Sequence, residues 1–304
     1  MIRKAKKTIN PSDKGKWTLI ILFMAIPLTY ITVFYFMVNI DMILLAFKDP
    51  RTGAFTLQNF TDFWNSVTQP VGNTLGVALK NTFTYFSSNI FIVLPASLIM
   101  SYFLYKKIKG YKFFQTVFYF PALIPQLVLI TVYKDFLTSG GTFDQLLHLF
   151  GGKVPEYGYF SYPETATTAI VIYTIFTGTT GSILLFVGSM NRIPFEVIEA
   201  SKLDGCSAFT ELIHIILPLI WPVLTVTLIQ AVSGILGSTG PILLFTNGRA
   251  ETTTVSFWMF DQVYGKGTGG YNLLSATGLV FTCIAVPLAL GTKWLSERVD
   301  TVEY

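Results

Sequence analysis

The residues with the clearest potential for chemistry lie in the stretch 191–222, where carboxylates and small side chains recur at close spacing. Glu199-Ala200-Ser201 is followed by Asp204-Gly205 and, further on, by Leu217-Pro218. A glutamate beside small residues can approach a second protein closely and make a charge-assisted hydrogen bond to one of its cations. The same carboxylate could instead stabilise only its own helix. The residue types therefore favour a protein contact without deciding between these two roles.

We recognise no enzymatic site in the sequence. The chain has no G-x-x-x-x-G-K-[ST] segment, so it does not bind ATP through a P-loop. Gly265, Gly267 and Gly270 match G-x-G-x-x-G, but no buried strand precedes them and we attribute the match to chance. His148 and His214 have no second ligand at metal-binding spacing. We therefore predict no metal, no cofactor and no covalent chemistry for this chain.

The composition places the chain in a lipid bilayer. Of its 304 residues, 52% are hydrophobic and only 12% are charged, and the mean hydropathy is +0.56. Soluble domains of ordinary composition carry about twice that charged fraction. The formal net charge of +4 is small for this length and indicates no nucleic-acid partner. We expect an all-α integral membrane protein.

Six stretches are long enough to cross the hydrocarbon core, which takes about 20 helical residues. They lie near 17–46, 81–105, 113–137, 166–190, 223–245 and 273–296. Pro121 and Pro125 should kink the third stretch, and a small, polar run from Thr177 to Ser182 should let the fourth approach another helix closely. We treat 17–296 as a single transmembrane domain between a basic N-terminal segment, 1–16, and a short tail, 297–304.

The distribution of Lys and Arg predicts the orientation. Of the 21 such residues, fourteen fall on the side of the N-terminus and seven on the other. Positive residues concentrate on the cytoplasmic side. Both termini and the stretch 191–222 are therefore expected in the cytoplasm. The basic N-terminus with its long apolar span and no small-residue cleavage site is expected to be a retained anchor.

Local signals predict a helix–turn–helix in residues 191–222. Pro194 suits a first helical position, Gly205 a left-handed stop, and Ser207 the N-cap of a second helix. Pro218 and Pro222 close the unit and should stiffen its exit into the next span. In the outer segment, residues 143–150 are predicted either as a surface amphipathic helix or as a solvated connector.

These residues resemble the EAA loop of permease subunits of binding-protein-dependent ATP-binding-cassette importers, with the pattern EAA, three residues, G, about nine residues and I-x-L-P. Ile193-Pro194 and Asp204-Gly205 are similar to the carbohydrate-uptake, maltose-type branch, as are Phe245-Thr246-Asn247-Gly248 and the threonines 252–254. Two positions depart from the pattern: Ser201 replaces the second alanine, and Gly248-Arg249-Ala250 replaces Gly-Gly-Pro.

The resemblance implies a function and a set of partners. The loop would form the coupling helix that contacts a separate ATPase subunit, through Glu199, Ala200, Ser201, Asp204, Gly205, Leu217 and Pro218. ATP and Mg²⁺ would be bound by two such ATPases, not by this chain. A second homologous permease, an extracellular solute-binding protein and a sugar or oligosaccharide complete the expected assembly, in the cell membrane.

Positions that match the sugar contacts of maltose-type permeases flank the loop. They are Thr177, Gly178 and Gly181 before it, and Gly234, Ile235 and Ser238 after it. Because these residues are mostly small, two interpretations remain open. Either they line a roomy cavity, with Tyr119, Gln126 and Gln230 adding polar groups, or they pack helices while the sister permease holds the sugar.

Two rival functions remain. Arg249, Lys80 and Lys134 on the outer side would suit an importer of glycerol-phosphate esters, although such a cargo would want cations deeper in the bundle. An ion-coupled carrier or a membrane scaffold would require the EAA-like loop to be coincidental. Ionisable residues are nearly absent from the centres of the spans, which disfavours the ion-coupled carrier.

Overall fold

The structure is a computed structural model that describes residues 11–69, 74–152, 155–235, 241–264 and 270–299. Within these ranges the chain is helical and forms no strand beyond an isolated bridge between Lys48 and Phe55. The α-helices in chain order are α1 (Pro11–Tyr30), α2 (Val38–Ala46), α3 (Gln58–Thr68), α4 (Thr74–Ser88), α5 (Leu94–Tyr105), α6 (Tyr111–Leu123), α7 (Gln126–Leu137), α8 (Thr142–Leu149), α9 (Pro163–Met190), α10 (Phe195–Leu203), α11 (Ala208–Glu211), α12 (Leu217–Leu219), α13 (Trp221–Ser233), α14 (Ile242–Phe245), α15 (Val255–Tyr264) and α16 (Tyr271–Ser296).

Several helices have the length and apolarity of membrane spans. Short π-helical segments join α1 to α2, α4 to α5 and α11 to α12 without breaking the helix. Four uninterrupted helices in the described part of the chain qualify: Gly15–Ala46, Thr74–Tyr105, Pro163–Met190 and Tyr271–Ser296. Two bent pairs would raise the number to six if each is one span. The chain is an all-helical, multi-pass membrane protein.

Both bent pairs break near proline. Helix α6 meets the segment Gln126–Leu149, which contains α7 and α8, at 108°. At the break Ile124 is extended and Pro125 precedes the first residue of α7. Proline disfavours a helical conformation in the residue before it, which explains the break. The helical path predicted over 113–137 is thus divided, at the second of the two prolines expected to kink it.

The stretch predicted as the fifth span, 223–245, is also not one continuous helix. Helix α13 ends at Ser233, with Gly234 as its C-cap, and the short helix α14 follows after residues 236–240, which lie outside the described part. Of the two alternatives for residues 143–150, the structure shows the helix, since α8 occupies almost the same residues.

The chain divides into two compact units, of which the first comprises residues 1–63 and 269–279. Its apolar helix is exposed from residue 15 to residue 44. The amide of Asn59 donates to the carbonyls of Ala46 and Lys48, and that of Asn272 donates to those of Leu45 and Lys48. These bonds satisfy carbonyls that a helix C-terminus otherwise leaves free.

The second unit comprises residues 64–268 and 280–304, and its α5–α9 pair is held by small residues. Ser101 is fully buried and donates through Oγ to the Ile183 carbonyl at 3.2 Å. A Cβ atom added to Gly178 would lie 3.1 Å from Cγ1 of Val93, so the two helices are in close contact there. This confirms that the small, polar run in α9 permits close helix approach.

A second set of contacts in this unit fixes the helix–turn–helix to the bundle. Buried apolar side chains from α5, α9, α10 and the segment 212–224 form one cluster. Its members are Leu94, Tyr102, Phe186, Met190, Ile193, Ile198, Leu212, Ile216, Ile220 and Leu224. Burying apolar area at about 25 cal/mol per Å² makes such a cluster the main attachment of the loop.

Candidate functional site

The helix–turn–helix predicted in residues 191–222 is present, with its end signals largely where the sequence placed them. Gly205 has φ of +74°, the left-handed conformation expected of a helix stop. Ser207 caps the second helix, since its Oγ accepts from the Thr210 N–H at 3.2 Å. Pro194 is extended and serves as the N-cap of α10, one residue before the first helical position predicted for it.

Helix α10 has one buried and one exposed side. Ile198 is 3% exposed within the apolar cluster, and Ser201 is 5% exposed with its Oγ donating to the Ile198 carbonyl at 2.8 Å. Glu199 and Ala200 are exposed, as are residues 202–205, and Leu203 reaches 89%. Of the EAA-like triplet, the first two residues therefore face outward, whereas Ser201 faces the bundle.

A buried ion pair joins the second helix of the helix–turn–helix to α5. The Lys106 ammonium donates to both carboxylate oxygens of Glu211, at 2.8 and 2.9 Å, and the Glu211 side chain is only 2% exposed. The Tyr102 hydroxyl lies 3.5 Å from Oε1 of Glu211, at the long limit of a hydrogen bond. The pair spans 105 positions in the sequence and locks the start of the second helix to the end of α5.

The second sharp bend lies where the helix–turn–helix leads into α13. The helical segment Ala208–Leu219 meets α13 at 77°. Leu217 and Pro218 are half-buried in α12, and Pro222 occupies the first turn of α13. The Trp221 indole N–H donates to the Ser296 carbonyl at 2.8 Å, which fixes the bend against the end of α16.

The residues predicted to line a substrate path do not share one cavity. Thr177 donates through Oγ1 to the Tyr173 carbonyl of its own helix, and Gly178 packs on Val93. Gly181 borders a cavity of about 410 Å³ that also contacts Arg192. The side chain of Gln230 is exposed. Ser238 lies outside the described residues.

Gly234 and Ile235, in contrast, line a small cavity between α4, α9 and the end of α13. Its volume is about 60 Å³, and its polar lining comes from Thr82, Tyr85, Asn89, Thr174 and Thr254. The Tyr85 hydroxyl is buried and has no hydrogen-bond partner among the described residues. Buried polar groups are normally paired. An unpartnered hydroxyl on a residue that lines this cavity is suited to a guest that is not part of the chain.

The segment 245–254, which resembles the maltose-type permeases, is fixed by hydrogen bonds. The Asn81 amide donates to the carbonyls of Glu251 and Thr253, at 2.7 and 2.9 Å, and the hydroxyls of Thr246 and Thr252 lie 2.5 Å apart. Gly248 has φ of +75°, and a Cβ added there would overlap the Phe257 ring. Glycine is therefore required at this point of the loop.

Sequence inspection missed several of these groups. Tyr85, Asn89 and Thr174 are unremarkable polar residues within apolar spans, and only the cavity between their helices brings them together. Lys106 was counted for orientation and Glu211 was given no role. No local pattern connects two residues so distant in the sequence.

The geometry defines a class: a multi-helix membrane protein that presents a short, anchored helix–turn–helix with an exposed acidic tip. Residues 93–301 match the family model described as "Binding-protein-dependent transport system inner membrane component". This match covers more than half of the chain, and the protein belongs to that family. The membership confirms the resemblance drawn from the EAA-like residues, and the class is one of transport components rather than enzymes.

Individual relatives are more distant. Multiple sugar-binding transport system permease protein MsmF of Streptococcus mutans is 26% identical over 64% of this chain and 66% of its own length. Polygalacturonan/rhamnogalacturonan transport system permease protein YteP of Bacillus subtilis is 24% identical over 84% of this chain and 81% of its own. Maltose/maltodextrin permease MalF of Klebsiella aerogenes is 28% identical, and the alignment covers 38% of it.

Solved structures share the fold. A bacterial ABC transporter for alginate, in complex with an alginate pentasaccharide-bound periplasmic protein, contains a chain that superposes with a TM-score of 0.80. The alignment covers 95% of this chain and 98% of that one, at 20% sequence identity. This likeness establishes the helical architecture alone.

Proposed function

We propose that this chain is a membrane-spanning permease subunit of an ABC importer that moves a sugar or oligosaccharide inward. The observation that carries the proposal is the two-sided helix α10, which buries Ile198 and Ser201 in the bundle and exposes Glu199, Ala200 and the turn to Gly205. A short helix of this kind is suited to a groove on a partner. Its carboxylate can pair there with a cation.

The assembly follows from that contact. Two ATPase subunits bind ATP and Mg²⁺ on the cytoplasmic face, a second permease completes the pathway, and an extracellular binding protein delivers the cargo. In this proposal the four long helices and the two bent pairs make six spans, so both termini lie on one side, and the excess of Lys and Arg on that side supports the cytoplasm. The relatives MsmF, MalF and YteP are named for the transport of sugars, maltodextrin and polygalacturonan, which supports a carbohydrate cargo and a location in the cytoplasmic membrane.

Transmission of the ATPase motion rests on two attachments. The Lys106–Glu211 ion pair ties the second helix of the loop to α5, and Trp221 ties its exit to the end of α16. The partner's movement therefore shifts α5 and α16 together with the loop. Such rigid movement of packed helices can open a central cavity alternately to each side.

The small cavity lined by Tyr85 is the proposed remnant of the sugar path in a closed state. Its volume of about 60 Å³ equals roughly two water molecules at about 30 Å³ each, too little for a sugar. Movement of α13 would enlarge it, and its hydroxyls and tyrosine ring have the character of a carbohydrate site. Of the two interpretations left open by the sequence, Gly234 and Ile235 then fit the cavity, whereas Gly178 fits helix packing.

The decisive experiment reverses the charge at the tip of the loop. Glu199→Lys should abolish co-purification with the ATPase and ATP-driven uptake while the permease still folds. Glu156→Lys makes the same charge change at an exposed outer position and should leave ATPase association intact. If Glu199→Lys retains both association and uptake, the coupling role of α10 is refuted.

A further inference from the structure

A cavity of about 520 Å³ on the side predicted to be extracellular has no role in the function proposed above. It lies between the end of α7, the segment 157–161 and the loop that follows α14. Its volume is within the range of about 300 to 1,000 Å³ that is typical of small-molecule sites. It is separate from the small cavity at Tyr85, since the two share no lining residue.

Two cations line this cavity, Lys134 and Arg249. The Lys134 ammonium donates to the Leu244 carbonyl at 3.3 Å, which uses one of its three hydrogens. Arg249 stands on the loop fixed by Asn81, and its side chain is exposed. None of the ion pairs within the described residues includes either side chain. Their remaining donors are therefore available to an anion.

The same cavity presents aromatic rings next to the cations. Phe160 stacks on Phe245 with ring centroids 5.1 Å apart, and Tyr157 is 68% exposed in the lining. Exposed aromatic rings with a polar edge suit the apolar face and hydroxyls of a sugar ring. The lining hydroxyls of Thr138 and Ser161 add hydrogen-bonding groups.

One acidic residue, Asp135, also lines the cavity and limits its charge. With Lys134 and Arg249 the lining has a formal charge of +1, which matches a single carboxylate better than a phosphate ester of about two negative charges. Arginine binds carboxylates with two parallel hydrogen bonds, and the Asp135 oxygens can accept hydrogen bonds from sugar hydroxyls.

We propose that this outer cavity binds a sugar unit that carries a carboxylate, a uronate, with Arg249 and Lys134 holding the acid and Tyr157 and Phe160 the ring. The inference rests on the proposed import function, because it makes the cavity an entry site for an acidic glycan. It also gives a purpose to Arg249, the residue at which the loop departs from the Gly-Gly-Pro of the permeases it resembles.

The test uses the full transporter, reconstituted in nanodiscs, with D-galacturonate, D-galactose and glycerol 3-phosphate as probes. Galacturonate and galactose differ only at the carboxylate. Saturation-transfer NMR should detect galacturonate binding that added salt weakens, and little binding of galactose. Arg249→Gln should weaken galacturonate binding about tenfold or more, whereas Arg249→Lys should retain part of it. Lys80→Gln removes an exposed cation outside the cavity and should change nothing.

Several results would overturn the proposal. Equal binding of galactose would show that the acid is irrelevant, and binding of glycerol 3-phosphate alone would assign the cations to phosphate. Loss of binding-protein association in Arg249→Gln, with galacturonate binding unchanged, would make the surface a protein dock. ATP-driven uptake by the same transporter, reconstituted in closed proteoliposomes, separates the two hypotheses. If uptake is intact but galacturonate does not bind, only the uronate site fails, and if uptake is absent the import function itself fails.

Discussion

Replacement of Lys106 by methionine tests whether the buried ion pair holds the helix–turn–helix in place. Methionine keeps most of the apolar stem but removes the ammonium that donates to both oxygens of Glu211. The Glu211 side chain is 2% exposed, so water cannot replace the lost partner. Breaking a buried pair by removing one member costs about 3–5 kcal/mol. Because the Lys106 side chain is 23% exposed, we expect the lower end, about 3 kcal/mol.

The assay is the apparent melting temperature of the solubilised protein, together with hydrogen exchange of residues 195–211. At about 2 °C per kcal/mol for a large chain, the loss corresponds to a fall of roughly 6 °C. Exchange in α10 and α11 should accelerate more than exchange in α16, because the lost attachment is local. Lys109→Met is the matched control, since Lys109 is an exposed lysine just beyond α5 and should change stability by no more than about 0.5 kcal/mol.

The single variant Glu211→Met and a double variant complete the mutant cycle. Lys106→Met combined with Glu211→Met leaves no unpaired charge, and apolar replacement of a buried pair is often neutral or stabilising. The double variant should therefore be more stable than Lys106→Met alone, with a coupling energy of about 0.5–3 kcal/mol. Additive losses, or a Lys106→Met variant no less stable than Lys109→Met, would refute the reasoning.

Three further predictions concern the path and the turn. Tyr85→Phe should raise the KM of ATP-driven uptake without loss of stability. The control Tyr173→Phe removes a buried hydroxyl outside the cavity that has no partner among the described residues, and it should leave uptake unchanged. Equal effects of the two variants would show that Tyr85 is not on the path. Gly178→Leu should destabilise the α5–α9 contact by about 1–3 kcal/mol in thermal unfolding, and Gly181→Leu, where a Cβ meets nothing within 4 Å, should not; a reversed order would contradict the packing. Gly205→Ala should cost about 1–2 kcal/mol because φ is +74°, and an unchanged melting temperature would show that the turn relaxes.

Much of the fold could be predicted from the composition and from the residues that mark the ends of helices. A charged fraction of 12% and long apolar stretches indicate a chain within a bilayer. Lipid offers no hydrogen-bond partner to the backbone, and a helix pairs its backbone groups within one stretch. Gly205 and Ser207 were recognised from their neighbours alone, because a left-handed stop and an N-cap are properties of a few adjacent residues. The same local reasoning predicted a kink at Pro121 and Pro125, whereas the structure has a break before Pro125 and keeps Pro121 within α6.

The side chains that line the cavities were predicted less well. Gly178 and Gly234 were assigned together from a resemblance, yet one contacts Val93 and the other lines a cavity. Small residues in a span are compatible with both roles, and the choice depends on which helix lies opposite. Ser201 shows the same limit: it belongs to the EAA-like triplet, but the rotation of α10 turns it toward the bundle.

The sequence by itself determined the class of protein, the helical content and the position of the helix–turn–helix, because these follow from hydropathy, caps and a short motif. The tertiary structure alone decided which face of α10 is exposed, that Lys106 meets Glu211, and that Arg249 and Lys134 share one cavity. These contacts join residues more than a hundred positions apart. Their energy comes from burial and pairing across helices, and the packing of the helices, not the order of the residues, sets which groups meet.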